Sequence, residues 1–188
     1  MKKHLASLAL AALTTLGCLT IPNAAFAQDT DSIKPNVNLT APDGWDDKKN
    51  DETKNNLIAV YVDPKSEHRI EVMARRNTSP KHAKALFDAF HEQLKNNFSQ
   101  EDKDERTYLL NDGSTRKGQY ITYETHEAEV PISVTTYAFV TDKEESENHK
   151  IDNIAYIVVG YFANAKREEG QKVFESFIQS MTNIQTNP

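Results

Sequence analysis

Between Ile151 and Ala163 the chain reads IDNIAYIVVGYFA, with apolar side chains at successive positions. Successive residues of a strand face opposite sides of its sheet, so this segment is apolar on both faces. It predicts a strand in the middle of a sheet that is covered from both sides. The remaining sequence must then supply neighbouring strands and the covering layers.

The neighbours come as short β-rich runs. LIAVYVD (57–63), the turn PKSE and HRIEVMARR (68–76) predict a hairpin. In its second strand Ile70, Val72 and Ala74 share one face, and Arg69, Glu71, Met73 and Arg75 the other. Further strands are expected over 106–112, 114–125 and 130–142, with Asp112-Gly113 as a hairpin turn and KEESENHK as a polar hairpin tip. VNLTAPDGW predicts a first short strand ending in a type I turn, Pro42 second and Gly44 fourth. Trp45, the only tryptophan, is expected to fold back onto the sheet or a helix end. DDKKNDETKNN (46–56) reads as a solvated loop.

Two amphipathic helices supply the cover. Ser79 suits a helix N-cap and Pro80 the first helical position. Ala83, Leu86, Phe87, Phe90, Leu94 and Phe98 recur at three- and four-residue steps, predicting a helix over about 80–98, which SQEDKDE then breaks. A closing helix over 164–184 carries Val173, Phe174, Phe177, Ile178 and Met181 on one stripe, with Gly170 a mild defect. The order β-β-β-α-β-β-β-β-α, with short turns, implies antiparallel pairing. The expected fold is α+β: a twisted antiparallel sheet of six or seven strands flanked by two main helices, one on each face or both on one.

The first residues concern the compartment. Lys2 and Lys3 precede an apolar stretch, Leu5 to Ile21, and Ala25 and Ala27 form an A-x-A cleavage signature. This predicts a secretory signal peptide over 1–27 rather than a transmembrane anchor, since the stretch is near the lower limit for spanning. Cys18 leaves a lipoprotein alternative open, although Thr15 and Leu16 fit a lipobox poorly. After cleavage the expected organisation is a leader over 28–36, one domain over 37–184 and a tail over 185–188, periplasmic or secreted. Without Cys18 that product has no cysteine, so it relies on its core alone. The full chain carries −6; removing Lys2 and Lys3 leaves −8. That balance argues against nucleic acid or an anionic membrane surface as a main partner.

Signatures of chemistry are sparse. His82 and His91 are nine apart on one helix and point about 180° away from each other. Neither they nor His68, His126 and His149 show metal-ligand spacing, so each is expected at the surface. No G-x-S-x-G elbow occurs, and six glycines leave no phosphate cradle. The acids Asp46/Asp47, Glu101 to Glu105 and Glu144 to Glu147 read as solvated loops, and no cofactor or metal is expected. Arg75 and Arg76 are either an anion contact or charges guarding an edge strand. The tyrosines offer the fullest candidate surface. Tyr61, Tyr120, Tyr123 and Tyr137 either pack in the core or line an exposed sheet face suited to a protein or peptide.

The element order, together with Pro42, Gly44 and Trp45, Asp63 and Pro64, Asp112 and Gly113, and Phe174, Phe177, Ile178 and Ser180, resembles the PsbP-like family, including its periplasmic DcrB-like members. The resemblance spans most of the predicted domain through short, degenerate motifs. It implies an α+β fold and a non-catalytic role, and carries no catalytic residues over. The expected function is an exported, non-enzymatic binding or assembly factor for a protein or peptide. A periplasmic immunity protein that neutralises a toxin is the alternative; a hydrolase using loop carboxylates comes third. Oligomeric state is not indicated.

Overall fold

The computed structural model describes residues 36–48, 57–66, 68–76, 80–125, 131–141, 144–146, 149–151 and 154–185. The expected signal peptide, Cys18, nearly all of the leader, Ser79 and His126 lie outside them. In chain order the elements are β1 (Asn36–Asn38), β2 (Asp46–Asp47), β3 (Leu57–Val62), β4 (Arg69–Arg76), α1 (Pro80–Lys95), β5 (Phe98–Leu109), β6 (Thr115–Thr125) and β7 (Ile132–Val140). They continue with β8 (Glu144–Ser146), β9 (His149–Ile151), β10 (Ile154–Ala163), a 3-10 turn (Asn164–Lys166), α2 (Arg167–Ser180) and β11 (Thr182–Gln185).

Seven strands make one antiparallel sheet in the order β2-β3-β4-β10-β7-β6-β5. The doubly apolar segment is β10, in the centre as expected, with β4 on one side and β7 on the other. Its even-numbered residues Ile154, Tyr156, Val158 and Phe162 join one core, its odd-numbered Ala155, Ile157, Val159 and Tyr161 the other. One helix covers each face. On the first, α2 lays Phe174, Phe177 and Ile178 over Ile70, Val72 and Val158. On the second, α1 lays Ala83, Leu86, Phe90 and Leu94 over Ile121, Val134 and Ile157. Each fully buried side chain of this size stabilises the fold by about 1.5–3 kcal/mol, which is how a core without disulfides can suffice.

Several elements depart from the pattern read in the sequence. The hydrophilic run after α1 is the start of β5, paired with β6 from Phe98↔Thr125 to Leu109↔Thr115. An edge strand needs backbone pairing on one side only, so it can carry exposed polar side chains where apolar periodicity says nothing. Asp46 and Asp47 likewise form the opposite edge, against Val62 and Tyr61, rather than a loop. The closing helix stops at Ser180, whose hydroxyl donates to the Phe177 carbonyl at 2.7 Å, and Met181 turns extended. The following β11 pairs with β1, so the first strand joins a separate ribbon rather than the main sheet. The polar tip after β7 forms another, β8 with β9.

The Ala41–Trp45 stretch is architectural. Trp45 N–H donates to the Pro42 carbonyl at 3.0 Å, and Gly44 has φ +78°. Pro42 is therefore first and Gly44 third in the turn, the left-handed position that type II turns reserve for glycine. Half-buried Trp45 packs with Val37, Leu39 and Ala41 against the α2-side core.

Candidate functional site

The α2-side face of the sheet is divided. Under β3, β4 and β10 it is mainly apolar. Under β7, β6 and β5 it carries Ser133, Thr135 and Tyr137, then Arg116, Tyr120 and Thr122, then Arg106 and Tyr108. Strand alternation accounts for this: positions two apart share a face. Ser133 and Thr135 nevertheless have no exposed surface.

The aromatic members form a ladder across strands. Tyr108 meets Tyr137 edge-on at 5.0 Å between ring centres, Tyr137 meets Phe139 at 5.4 Å, and Phe139 stacks on Tyr156 at 5.1 Å. The Tyr137 hydroxyl donates to the Arg116 carbonyl at 2.7 Å. Arg106 places its guanidinium 3.5 Å from the centre of the Tyr120 ring and pairs with Glu175 of α2 at 2.8 Å. At the start of α2, Arg167 bridges Glu101 of β5 (2.5 Å) and Glu124 of β6 (2.7 Å). Three ion pairs thus tie α2 to the polar half of the sheet.

Much of this polarity has no internal partner. The hydroxyls of Tyr108, Thr122, Ser133, Thr135 and Tyr156 and the Nε of Arg116 are buried without a hydrogen bond. Tyr120 faces Thr135, and Arg106 faces Tyr108, without closing to a bond of ordinary geometry. Each such group costs roughly 1–3 kcal/mol. Elsewhere in the described structure only His68 Nε2, His91 Nε2 and Gln93 Oε1 share this condition. The concentration on one face makes it the candidate site.

The residues singled out by sequence fall as follows. Tyr61, Tyr120 and Tyr137 sit on the α2 side and Tyr123 on the α1 side, so the four share no surface. None is more than 3% exposed, and they line no open sheet face. Burial raises all four phenols, Tyr61 to about 12 with help from Asp47. Arg75 is half-buried beside Ala155, and Arg76 closes β4 opposite Ile154. β4 lies between β3 and β10, and both arginines lie past its last β3 pair, Leu57↔Met73. His82 is exposed, but His68 and His91 are buried rather than at the surface. His68 packs edge-on against Phe162 at 5.4 Å, and burial lowers its pKa.

The acids are dispersed: Glu105 pairs with Lys117 at 2.9 Å, and Glu101 and Glu124 are held by Arg167. Among the described residues no three His, Cys, Asp or Glu side chains gather as a metal site, and no helix is long and apolar enough to cross a membrane. Sequence reasoning passed over Arg116, Tyr108, Thr122, Ser133 and Thr135 as site residues. The available signal was a run of hydroxylated residues at alternate positions in strands that were expected to be interior.

No family model matches the chain, so none supports the PsbP-like resemblance. No curated protein sequence matches it either. The fold is similar to that of LpqN, involved in cell envelope biogenesis of Mycobacterium tuberculosis. The TM-score is 0.58 at 13% identity, over 84% of this chain and 87% of LpqN. At that identity the likeness concerns the fold.

Proposed function

We propose that this protein is an exported, non-catalytic binding or assembly factor of the cell envelope that recognises a protein or peptide partner. In this reading residues 1–27 are removed, and 37–184 act as one domain outside the cytoplasm. The fold shared with LpqN, a protein described as involved in envelope biogenesis, is compatible with such a role.

The observation that carries the reading is the open edge of the sheet. The outer side of β5 faces no other strand of the sheet, and Ser99 through Glu105 are exposed at successive positions. Leu109, at the end of the same strand, is the one exposed large hydrophobic residue among those described, at 62%. An extended partner segment can add to such an edge through its backbone. With the tyrosines buried, β5 is the surface we assign to the partner.

A photo-cross-linking residue placed at Leu109 or Lys103, and as a control at Lys84 on α1, tests this in periplasmic extract. A discrete adduct from the two β5 positions and none from Lys84 is expected. Adducts from Lys84 alone, or from none of the three, would remove β5 from consideration.

A further inference from the structure

We propose that Asp102 and Asp104 guard the open edge of β5 and select a basic extended segment as the strand it accepts. This rests on the reading of β5 as the partner surface and names the class of partner.

The hairpin sets which backbone groups of β5 point outward. The Leu110 N–H donates to the Ser114 carbonyl at 2.8 Å, so Leu110 turns its backbone towards β6. Successive residues of an antiparallel strand turn their backbone groups to opposite sides. The register runs without a shift from Asp102↔Thr122 to Leu109↔Thr115, which carries that alternation along the stretch. Even-numbered residues therefore face β6, and the outward amides are those of Lys103, Glu105, Thr107 and Leu109.

Two of these four amides are occupied. The Asp102 carboxylate accepts from the Lys103 N–H at 2.8 Å, and the Asp104 carboxylate from the Glu105 N–H at 2.7 Å. Both aspartates are exposed, and they take the donors that an incoming strand needs. Thr107 and Leu109 follow Arg106 and Tyr108, which carry no carboxylate, and Leu109 is the exposed apolar residue. The edge has an open end at Thr107–Leu109 and a closed one at Lys103–Glu105.

Charge decides what opens the closed end. Glu101 and Glu105 are engaged by Arg167 and Lys117, and Asp104 lies 3.6 Å from the Arg106 Nε. A lysine or arginine beside each aspartate offers its carboxylate a charge-assisted bond in place of the amide, which is then freed for the partner's backbone. A second β5 paired over the same stretch would set acid against acid. Asp104 lies opposite Tyr120 of the α2-side core and Lys103 opposite Ile121 of the other, so the aspartates and Leu109 are on opposite faces. The fitting segment has basic residues two apart and an apolar residue five positions further on, in one chain direction or the other.

Fluorescence anisotropy of labelled peptides on the full chain tests this. The probes are Lys-Thr-Lys-Thr-Val-Thr-Val-Leu and its counterpart with glutamate at both lysine positions, each made in both directions. The better lysine peptide should bind about tenfold more tightly than its glutamate counterpart. Asp102→Ala/Asp104→Ala frees both amides and removes both charges, so that ratio should fall to about twofold or less. Thr107→Pro removes an outward N–H and should weaken both peptides alike. Equal binding of the two peptides to the unaltered chain overturns the guard. So does an unchanged ratio in the aspartate variant. In either case binding that is lost in Thr107→Pro leaves β5 as the partner surface. If neither peptide binds, the selection of a basic segment is overturned, and β5 as partner surface is decided by the cross-linking at Leu109 and Lys103. A full chain that sediments as a dimer broken by Thr107→Pro would make a second copy the occupant and overturn the proposal.

Discussion

The Tyr123 hydroxyl lies 2.7 Å from Nδ1 of His91, joining β6 to the underside of α1. The imidazole is buried beside Phe90, and its other nitrogen has no partner. Burial, aided by Lys103, lowers its pKa from 6.5 to about 4, so it is neutral in the folded protein at ordinary pH. Tyr123, kept protonated because burial pushes its phenol up, is then the donor and Nδ1 the acceptor.

The acid side of stability follows from this pair. Below pH 6.5 the unfolded chain takes a proton on His91 that the folded protein refuses until about pH 4. The unfolded state is favoured progressively across that window, by at most about 3 kcal/mol. Denaturant melts at several pH values should show stability falling from pH 6.5 towards 4. In His91→Phe that slope should be visibly shallower; an unchanged slope would remove His91 as its source.

The alkaline side rests on the tyrosines. All seven in the chain are buried, and burial raises each phenol, Tyr61 and Tyr108 to about 12. A raised folded pKa means stability is present below pH 10 and is lost as pH climbs through the folded values. Phenolate absorbance should therefore appear in step with loss of secondary structure by circular dichroism. Tyrosines ionising well before any unfolding would contradict the burial described.

Gly170 is expected to resist the usual helix improvement. By propensity alone, Gly→Ala inside a helix gains about 1 kcal/mol. Here a Cβ at Gly170 would run into the Phe162 side chain, whose ring atoms would lie 2.4 Å away. Overpacking of that kind costs roughly 1–3 kcal/mol, so Gly170→Ala should lower the melting temperature. A higher melting temperature would mean that Phe162 can move aside.

Trp45→Ala removes an aromatic packed against the α2-side core together with Val37 and Leu39. Trp45 is half-buried, so the expected loss is about 2 kcal/mol, below the cost of emptying a fully buried site. Chemical denaturation measures it, and a loss under about 0.5 kcal/mol, the range of ordinary surface changes, would show that Trp45 contributes little packing.

The architecture was legible in the residues wherever one kind of chemistry repeated at a regular interval. Double-faced apolarity placed β10 in the centre, and three- and four-residue spacing marked α1 and α2. The turn PKSE was legible too, and the Asp63 carboxylate closes it by accepting from the Lys65 backbone. Those signals are local, since periodicity reports which face of one element is buried. What depends on a neighbour was settled by packing. The polar run from Ser99 became a strand because β6 offered its backbone. Thr182–Gln185 left the helix and paired with β1. Gly170 changed from a defect to a requirement because Phe162 needs its space. The tyrosines show the same limit: alternation assigned them to faces, but whether a face meets solvent or a helix is settled by packing across the sheet.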